Sequence, residues 1–392
     1  MATRITTTRT MSSPCARSAG LTVACPADFS FEELVQAYYD CRRSKRTSRS
    51  ALLFEMNLAE NLLRLYELLI RGIYRPGRSV CFVITHPKPR EVWAAAFVDR
   101  IVHHLLYNRI APRFHASFIA DSCACIPGRG TLYAGKRLEA KIRSITQNWS
   151  QPAFYLKCDL ANFFVSINKN VLREQLARRI HEPWWMQLAE LVLFHDPRTN
   201  YRFHGDTSLI RLVPSHKQLR NQSSECGLPI GNLSSQFFAN VFLNDLDQFI
   251  KHVIGCKHYI RYVDDFILLH VSPQWLNAAL TRINAFLPAQ LGVNLNPTKT
   301  ILQPVERGVD FVGHVIKPWR RTTRLRTVNH AIQRVTSVDA EDLRETANSY
   351  FGLLRQSSHS HSDRTRLAKA VLNRGSAVNL ALTKTYQKGD AR

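Results

Sequence analysis

Asp264 and Asp265 stand side by side between two apolar, strand-like runs at 258–262 and 266–270. Two adjacent carboxylates at the tip of a hairpin repel one another, and a largely buried pair needs a compensating cation. A third carboxylate, Asp159, closes the short apolar run 153–158. Oxygen-only donors suit a hard ion such as Mg²⁺, which binds through a few carboxylates plus substrate phosphates. Two such ions about 3.5–4 Å apart would stabilise the attacking and leaving oxygens of a phosphoryl transfer. Alone, an Asp-Asp pair suits an ordinary polar turn better, so the surrounding elements must decide.

Those elements read as mixed α/β. Apolar residues recur at helical spacing in 29–46 and 51–72, a short strand fits 80–85, and a helix is expected from about Glu91 to Ile110, ended by Pro112. The stretch 169–180 reads as a helix, as do 234–254 and 275–287, and 308–316 suggests a strand pair. The polar, His- and Arg-rich stretch 195–226 reads as a loop-like insertion, and 317–392 as a basic, helical tail with 15 Lys/Arg against 6 Asp/Glu.

Composition narrows the class. The 392 residues are 45% hydrophobic and 21% charged, which excludes a mainly disordered chain. Lys and Arg outnumber Asp and Glu by 53 to 30, a net +23 that calls for a polyanionic partner, nucleic acid before membrane. No apolar stretch is long enough to span a bilayer. Residues 1–28 read as a basic, solvated arm; nine cysteines without a C-x-x-C pair argue against a disulfide framework or zinc ribbon and suit a reducing cytoplasm.

The order of motifs carries a resemblance. The run Phe154-Tyr-Leu-Lys-Cys-Asp159-Leu-Ala-Asn-Phe-Phe164, then Gly227-Leu-Pro-Ile-Gly231-Asn-Leu-Ser-Ser-Gln236, then Tyr262-Val-Asp264-Asp265 resemble motifs A, B and C of reverse transcriptases. Asn296-Pro-Thr-Lys299-Thr and Phe311-Val-Gly313-His314 follow as motifs D and E, and Pro87-Lys88-Pro89-Arg90 and Pro127-Gly-Arg-Gly-Thr131 resemble upstream fingers blocks. The resemblance implies a right-hand polymerase: fingers over 29–130, an antiparallel-sheet palm over 131–316 that contains the insertion 195–226, and a basic helical thumb over 317–392.

It also implies roles. Asp159 and Asp264 would hold two Mg²⁺ ions, with Mn²⁺ as a possible substitute, and Asp265 would be the supporting carboxylate. Phe164 would be the steric gate against the ribose 2′-hydroxyl, with Phe163 or Phe164 in the core. Arg90, assisted by Lys88, would clamp the triphosphate. Ile230, Gly231 and Gln236 would lie along the incoming nucleotide, and Lys299 would protonate pyrophosphate. Phe311, Gly313 and His314 would form the primer grip, and Arg320, Arg321, Arg324 and Arg326 would contact the template–primer backbone.

Motif B departs from the common Ser-Pro ending, since Ser235 is followed by Gln236. That form resembles the enzymes of diversity-generating retroelements; related antiphage-defence enzymes share the palm motifs. Implied partners are template RNA, primer or cDNA, dNTPs, a structured noncoding RNA, an accessory protein and a second copy of the chain, with no membrane, in a bacterial or phage-encoded cytoplasmic setting. A catalytically dead RNA-binding scaffold is the competing class. The 76 residues after Ile316 resemble no RNase H, endonuclease or integrase block, so synthesis alone is expected.

Overall fold

The computed structural model describes residues 26–43, 45–86 and 88–386, so most of the expected N-terminal arm lies outside them. Three helices come first: α1 (Phe31–Arg42), α2 (Arg49–Glu55) and α3 (Leu58–Ile70). Ser30 starts α1 reciprocally, its hydroxyl accepting from the Glu33 N–H while the Glu33 carboxylate accepts from the Ser30 N–H. Strands β1 (Ser79–Ile84) and β2 (Arg90–Ala94) then pair antiparallel, followed by helices α4 (Phe97–His115) and α5 (Thr131–Ile145).

The helix expected from Glu91 to Ile110 is therefore corrected. Its first residues are strand β2, in which Val92, Trp93 and Ala94 are all buried. A strand buried on both faces lacks alternation and cannot be told from helix by periodicity. Pro112 does not end α4 but lies inside it, where buried Ile110, Ala111 and Phe114 hold the last turn to the core.

Next come β3 (Phe154–Asp159), a single turn α6 (Phe163–Ser166), α7 (Lys169–Ala177), α8 (Pro183–Phe194) and β4 (Tyr201–Phe203). The stretch 195–226 is not a detached loop. Strand β4 pairs parallel with β1, Val213 and Leu219 are buried, and the buried Glu91 carboxylate accepts from the Leu219 N–H and from Arg220.

The remainder runs through α9 (Leu233–Gln248), β5 (His258–Tyr262), β6 (Asp265–His270), α10 (Pro273–Phe286) and β7 (Ile301–Pro304). A meander of β8 (Val309–Phe311), β9 (His314–Lys317) and β10 (Arg320–Thr323) leads to a bundle of α11 (Leu325–Ser337), α12 (Ala340–Leu354) and α13 (His361–Asn373). The bundle has its own core around Val335, Phe351 and Leu367. A two-stranded pair, β11 (Ala377–Val378) and β12 (Thr385–Tyr386), follows it.

At the centre is an antiparallel sheet of order β5-β6-β3-β7. Side chains alternate across it, as strand geometry requires. Leu156, Cys158, Phe266 and Leu268 enter the large core shared with α9 and α10, whereas Tyr155, Ile260, Ile267 and Leu269 enter a second core with α5 and the β8–β9 hairpin. This is the expected α/β organisation. Among the described residues the cysteines are all free, and no helix is long and apolar enough to cross a membrane.

Candidate active site

Asp159 ends β3 and Asp265 begins β6, and the two are direct partners in the antiparallel register. By strand alternation they share a face with Lys157, toward α5 and the β8–β9 hairpin. Asp264 belongs to the turn between β5 and β6, where Val263 adopts φ +56°. A β-branched residue in the left-handed region is strained and persists only when its surroundings hold it.

Those surroundings are a buried polar network that sequence reasoning missed. Arg261, on β5, is fully buried and pairs with fully buried Asp247 of α9 at 2.6 Å. Its other guanidinium bonds go to the Asn240 side chain at 3.2 Å, the Ser122 hydroxyl at 2.9 Å and the Val263 carbonyl at 3.0 Å. Tyr259 donates to the same Asp247 carboxylate at 2.7 Å. The strained turn that delivers Asp264 is thus tied through Arg261 to helix α9. A signal existed: an arginine within an otherwise apolar strand run, and Asn and Asp within an apolar helix, imply buried partners.

The three aspartates are unequally neutralised. Asp159 accepts from Lys299 at 2.6 Å, and Asp265 pairs with Lys157 at 3.1 Å. Lys157 also donates to the Asp310 carbonyl at 2.8 Å. Burial, and then the charge of Asp159, raise the Asp264 carboxyl above its ordinary value. Burial likewise lifts Asp265 to about 6, with Asp159 and Asp264 adding to the effect against the pull of Lys157. The Asp265 Oδ1 is buried without a hydrogen-bond partner.

A hard divalent cation fits this donor set. The ligating atoms on offer are carboxylate oxygens, one of them buried and unpartnered, and two carboxyls are held in an energetically poor ionised state that a cation would relieve. Among the described residues no three His, Cys, Asp or Glu side chains converge on one point, and the two lysines provide the local positive charge.

Around this centre, three backbone bonds tie neighbouring loops together. The Leu160 N–H donates to the Asp264 carbonyl at 3.3 Å, the Asn296 N–H to the Asp159 carbonyl at 2.7 Å, and the Leu228 N–H to the Phe164 carbonyl at 2.8 Å. Phe163 is buried beside Phe242, while Phe164 is half-buried. The Trp93 N–H donates to the Ile230 carbonyl at 2.8 Å, and the Asn232 side chain bridges the Ala95 N–H and Trp93 carbonyl. Gly231 sits at φ +120° with Val92 so near that an added Cβ would lie 2.8 Å from it. Glycine is required there by both backbone angle and space. Arg90 opens β2, is exposed, and its charge acts on Asp264; Lys88 and Gln236 are also exposed.

Two expected groups are less exposed than the sequence suggested, although Phe311 and His314 do face each other across the β8–β9 hairpin. The side chains of Phe311 and His314 are buried, His314 against the Ser357 hydroxyl with burial pushing its imidazole down to about 4. Only the turn between them, with Gly313 at φ +89°, remains partly open. The four-arginine cluster also divides. Arg320 and Arg326 are exposed, whereas Arg321 is buried against Glu139 of α5 and the Gln356 carbonyl, and Arg324 pairs with Asp310. Sequence counts positive charges but does not see which ones the fold neutralises.

The profile of the reverse transcriptase (RNA-dependent DNA polymerase) family matches residues 87–316, more than half of the chain. A putative COX1/OXI3 intron 2 protein of Saccharomyces cerevisiae is 23% identical over 234 residues, covering 44% of this chain and 24% of that protein. The nuclear intron maturase 1, mitochondrial, of Arabidopsis thaliana is 22% identical over 298 residues, covering 56% and 40%. The chain thus spans less than half the length of either curated relative. A telomerase of Candida albicans in complex with a telomeric RNA fragment aligns with TM-score 0.46 and 11% identity over 76% of this chain and 54% of that one. An apo telomerase of Candida tropicalis aligns with TM-score 0.45 and 14% identity over 76% and 57%.

Proposed function

The chain belongs to the reverse transcriptase family, and from that premise we propose that it is an RNA-directed DNA polymerase working at Asp159, Asp264 and Asp265. The observation that carries this reading is the register pairing of Asp159 with Asp265 directly beside the strained turn that presents Asp264. Asp159 and Asp264 would hold two Mg²⁺ ions, or Mn²⁺ in their place, and Asp265 would support them through its unpartnered oxygen. A pair of divalent ions held there would supply charge neutralisation for the attacking and leaving oxygens.

The protein's own groups supply position. Arg90 presents a guanidinium, suited to bidentate phosphate contact, at the edge of the carboxylate field, and Lys88 stands beside it. Gly231 and the half-buried Ile230 form the wall along which a nucleotide would lie, with Gln236 one helical turn further on. Phe164 closes the sugar side against a 2′-hydroxyl. Lys299, at present bonded to Asp159 and half-exposed, would leave that carboxylate to protonate pyrophosphate. In this reading 29–130 are fingers, 131–316 palm and 317–392 thumb, with Arg320 and Arg326 among the exposed thumb cations that would meet a phosphate backbone.

The biological setting we favour is a diversity-generating retroelement, with a structured RNA and an accessory protein; an antiphage-defence enzyme is the alternative. Ile230 favours the first, because an apolar, β-branched side chain before the glycine offers the nucleotide no polar contact, and apolar shape discriminates weakly. Extension of a DNA primer on an RNA template with Mg²⁺ tests the activity, and its absence would leave a binding scaffold. Sequencing of the cDNA tests the setting: Ile230→Gln should lower errors opposite template adenine, and low errors in both enzymes would favour defence.

A further inference from the structure

A concentration of cationic side chains around a concave surface lies away from the carboxylates. A groove of about 460 Å³ runs between α5 and the start of β5, lined by Tyr133, Lys136, Arg137, Lys141, Lys257 and His258. His258 opens β5 and Tyr262 closes it, so the groove is about 13 Å along the strand from the aspartate turn, at about 3.3 Å per residue. It is too far to touch a nucleotide held at Asp264.

Four of the eight lining residues are cationic, and Asp121 is the acid that answers them. Its buried carboxylate pairs with Arg137 at 2.6 Å and Lys141 at 2.8 Å. Lys136 and Lys257 are exposed and form no ion pair among the described residues. Tyr133 is held in place by its hydroxyl bond to the Ala120 carbonyl, with the guanidiniums of Arg129 and Arg137 at 5.9 and 5.7 Å from its ring. The field of the groove registers on His258: burial first, and then Lys141, Lys257 and Lys251, push its imidazole down to about 4, so it stays neutral and offers one donor and one acceptor.

We propose that this groove binds the phosphate backbone of RNA lying beyond the stretch being copied. The identity of the ligand as RNA rests on the polymerase reading above; the groove's preference for a phosphodiester chain does not. Lys136 to Lys141 span about 7.5 Å of helix axis, room for more than one phosphate of a strand. A single anion would leave part of that charge unmatched.

The test pairs Lys136→Glu with Lys257→Glu, both exposed and outside the proposed catalytic machinery. A long, hairpin-bearing RNA is titrated by fluorescence anisotropy across a salt series, beside extension of a short primer–template. The double variant should bind the RNA at least about tenfold more weakly, with a salt slope shallower by about 1.5, while extending the short substrate at the wild-type rate. Unchanged affinity and slope would overturn the proposal. Poly-glutamate binding as tightly as the RNA, and equally sensitive to the two substitutions, would overturn it in favour of an acidic-protein site. A wild-type chain that binds RNA through the groove but extends no primer would defeat the polymerase reading and leave the groove standing.

Discussion

Two aspartates, one beneath the β5–β6 hairpin and one at its turn, are treated by the fold in opposite ways. Asp247, beneath β5, has no exposed side-chain surface, and each carboxylate oxygen has donors: Arg261 through Nε and Nη2, and Tyr259 through its hydroxyl. Asp265, at the start of β6, keeps 24% of its side-chain surface, has one lysine at 3.1 Å, and leaves Oδ1 without a partner. The first charge is matched inside the protein and serves as a brace. The second is matched only in part, which is the condition of a site built for something that arrives from outside. Arg261 joins the two, since the guanidinium that neutralises Asp247 also holds the Val263 carbonyl of the aspartate turn.

The largest effect is expected on the unmatched side of that contrast. Asp159→Asn and Asp264→Asn should each lower primer extension by about 10³–10⁴-fold, the several kcal/mol that charge stabilisation by a metal supplies. Their urea midpoints should stay at or above that of the wild type, because removing a repelling carboxylate relieves the site. Near-normal extension by either variant with Mg²⁺ present would erase the distinction between site and brace.

On the matched side the ranking reverses, with stability lost first. Arg261→Gln should cost about 3–5 kcal/mol in chemical denaturation, since it leaves Asp247 buried and uncompensated. Asp247→Asn added to it should recover part of that loss, which a double-mutant cycle measures. Additive losses would show that the pair is not coupled and that the turn is held by other contacts.

The smallest effect is the share of the pH dependence that Asp265 contributes. Its folded carboxyl titrates at about 6, above the ordinary carboxylate value near 4. The folded state therefore holds the proton more tightly, and stability present below about pH 4 falls as pH rises through about 6. The fall should amount to about 1–2 kcal/mol, Asp265→Asn should flatten it, and Mg²⁺ at neutral pH should restore stability to the wild type. Melting curves collected from pH 4 to 8 with Mg²⁺ or chelator, for the wild type beside Asp265→Asn, would check all three; a difference between the two chains that stays constant over that interval in chelator would contradict the assignment.

Much of the chemistry was legible along the chain because it is local. The Asp264-Asp265 pair between two strand runs and Asp159 at the end of a buried run are each written within a few residues, where alternation rules apply. What only the tertiary structure decided involves partners far apart in sequence. Lys299 reaches Asp159 and Arg321 reaches Glu139 across 140 and 182 residues, and Arg261 needs Ser122 as well as Asp247. Those pairings determined which cations are spent inside the fold, while packing against the α5 core buries Phe311 and pairing with β1 makes β2 a strand rather than a helix. Local sequence sets a residue's chemistry and its period, but whether its charge is neutralised or left available depends on which distant element packs against it.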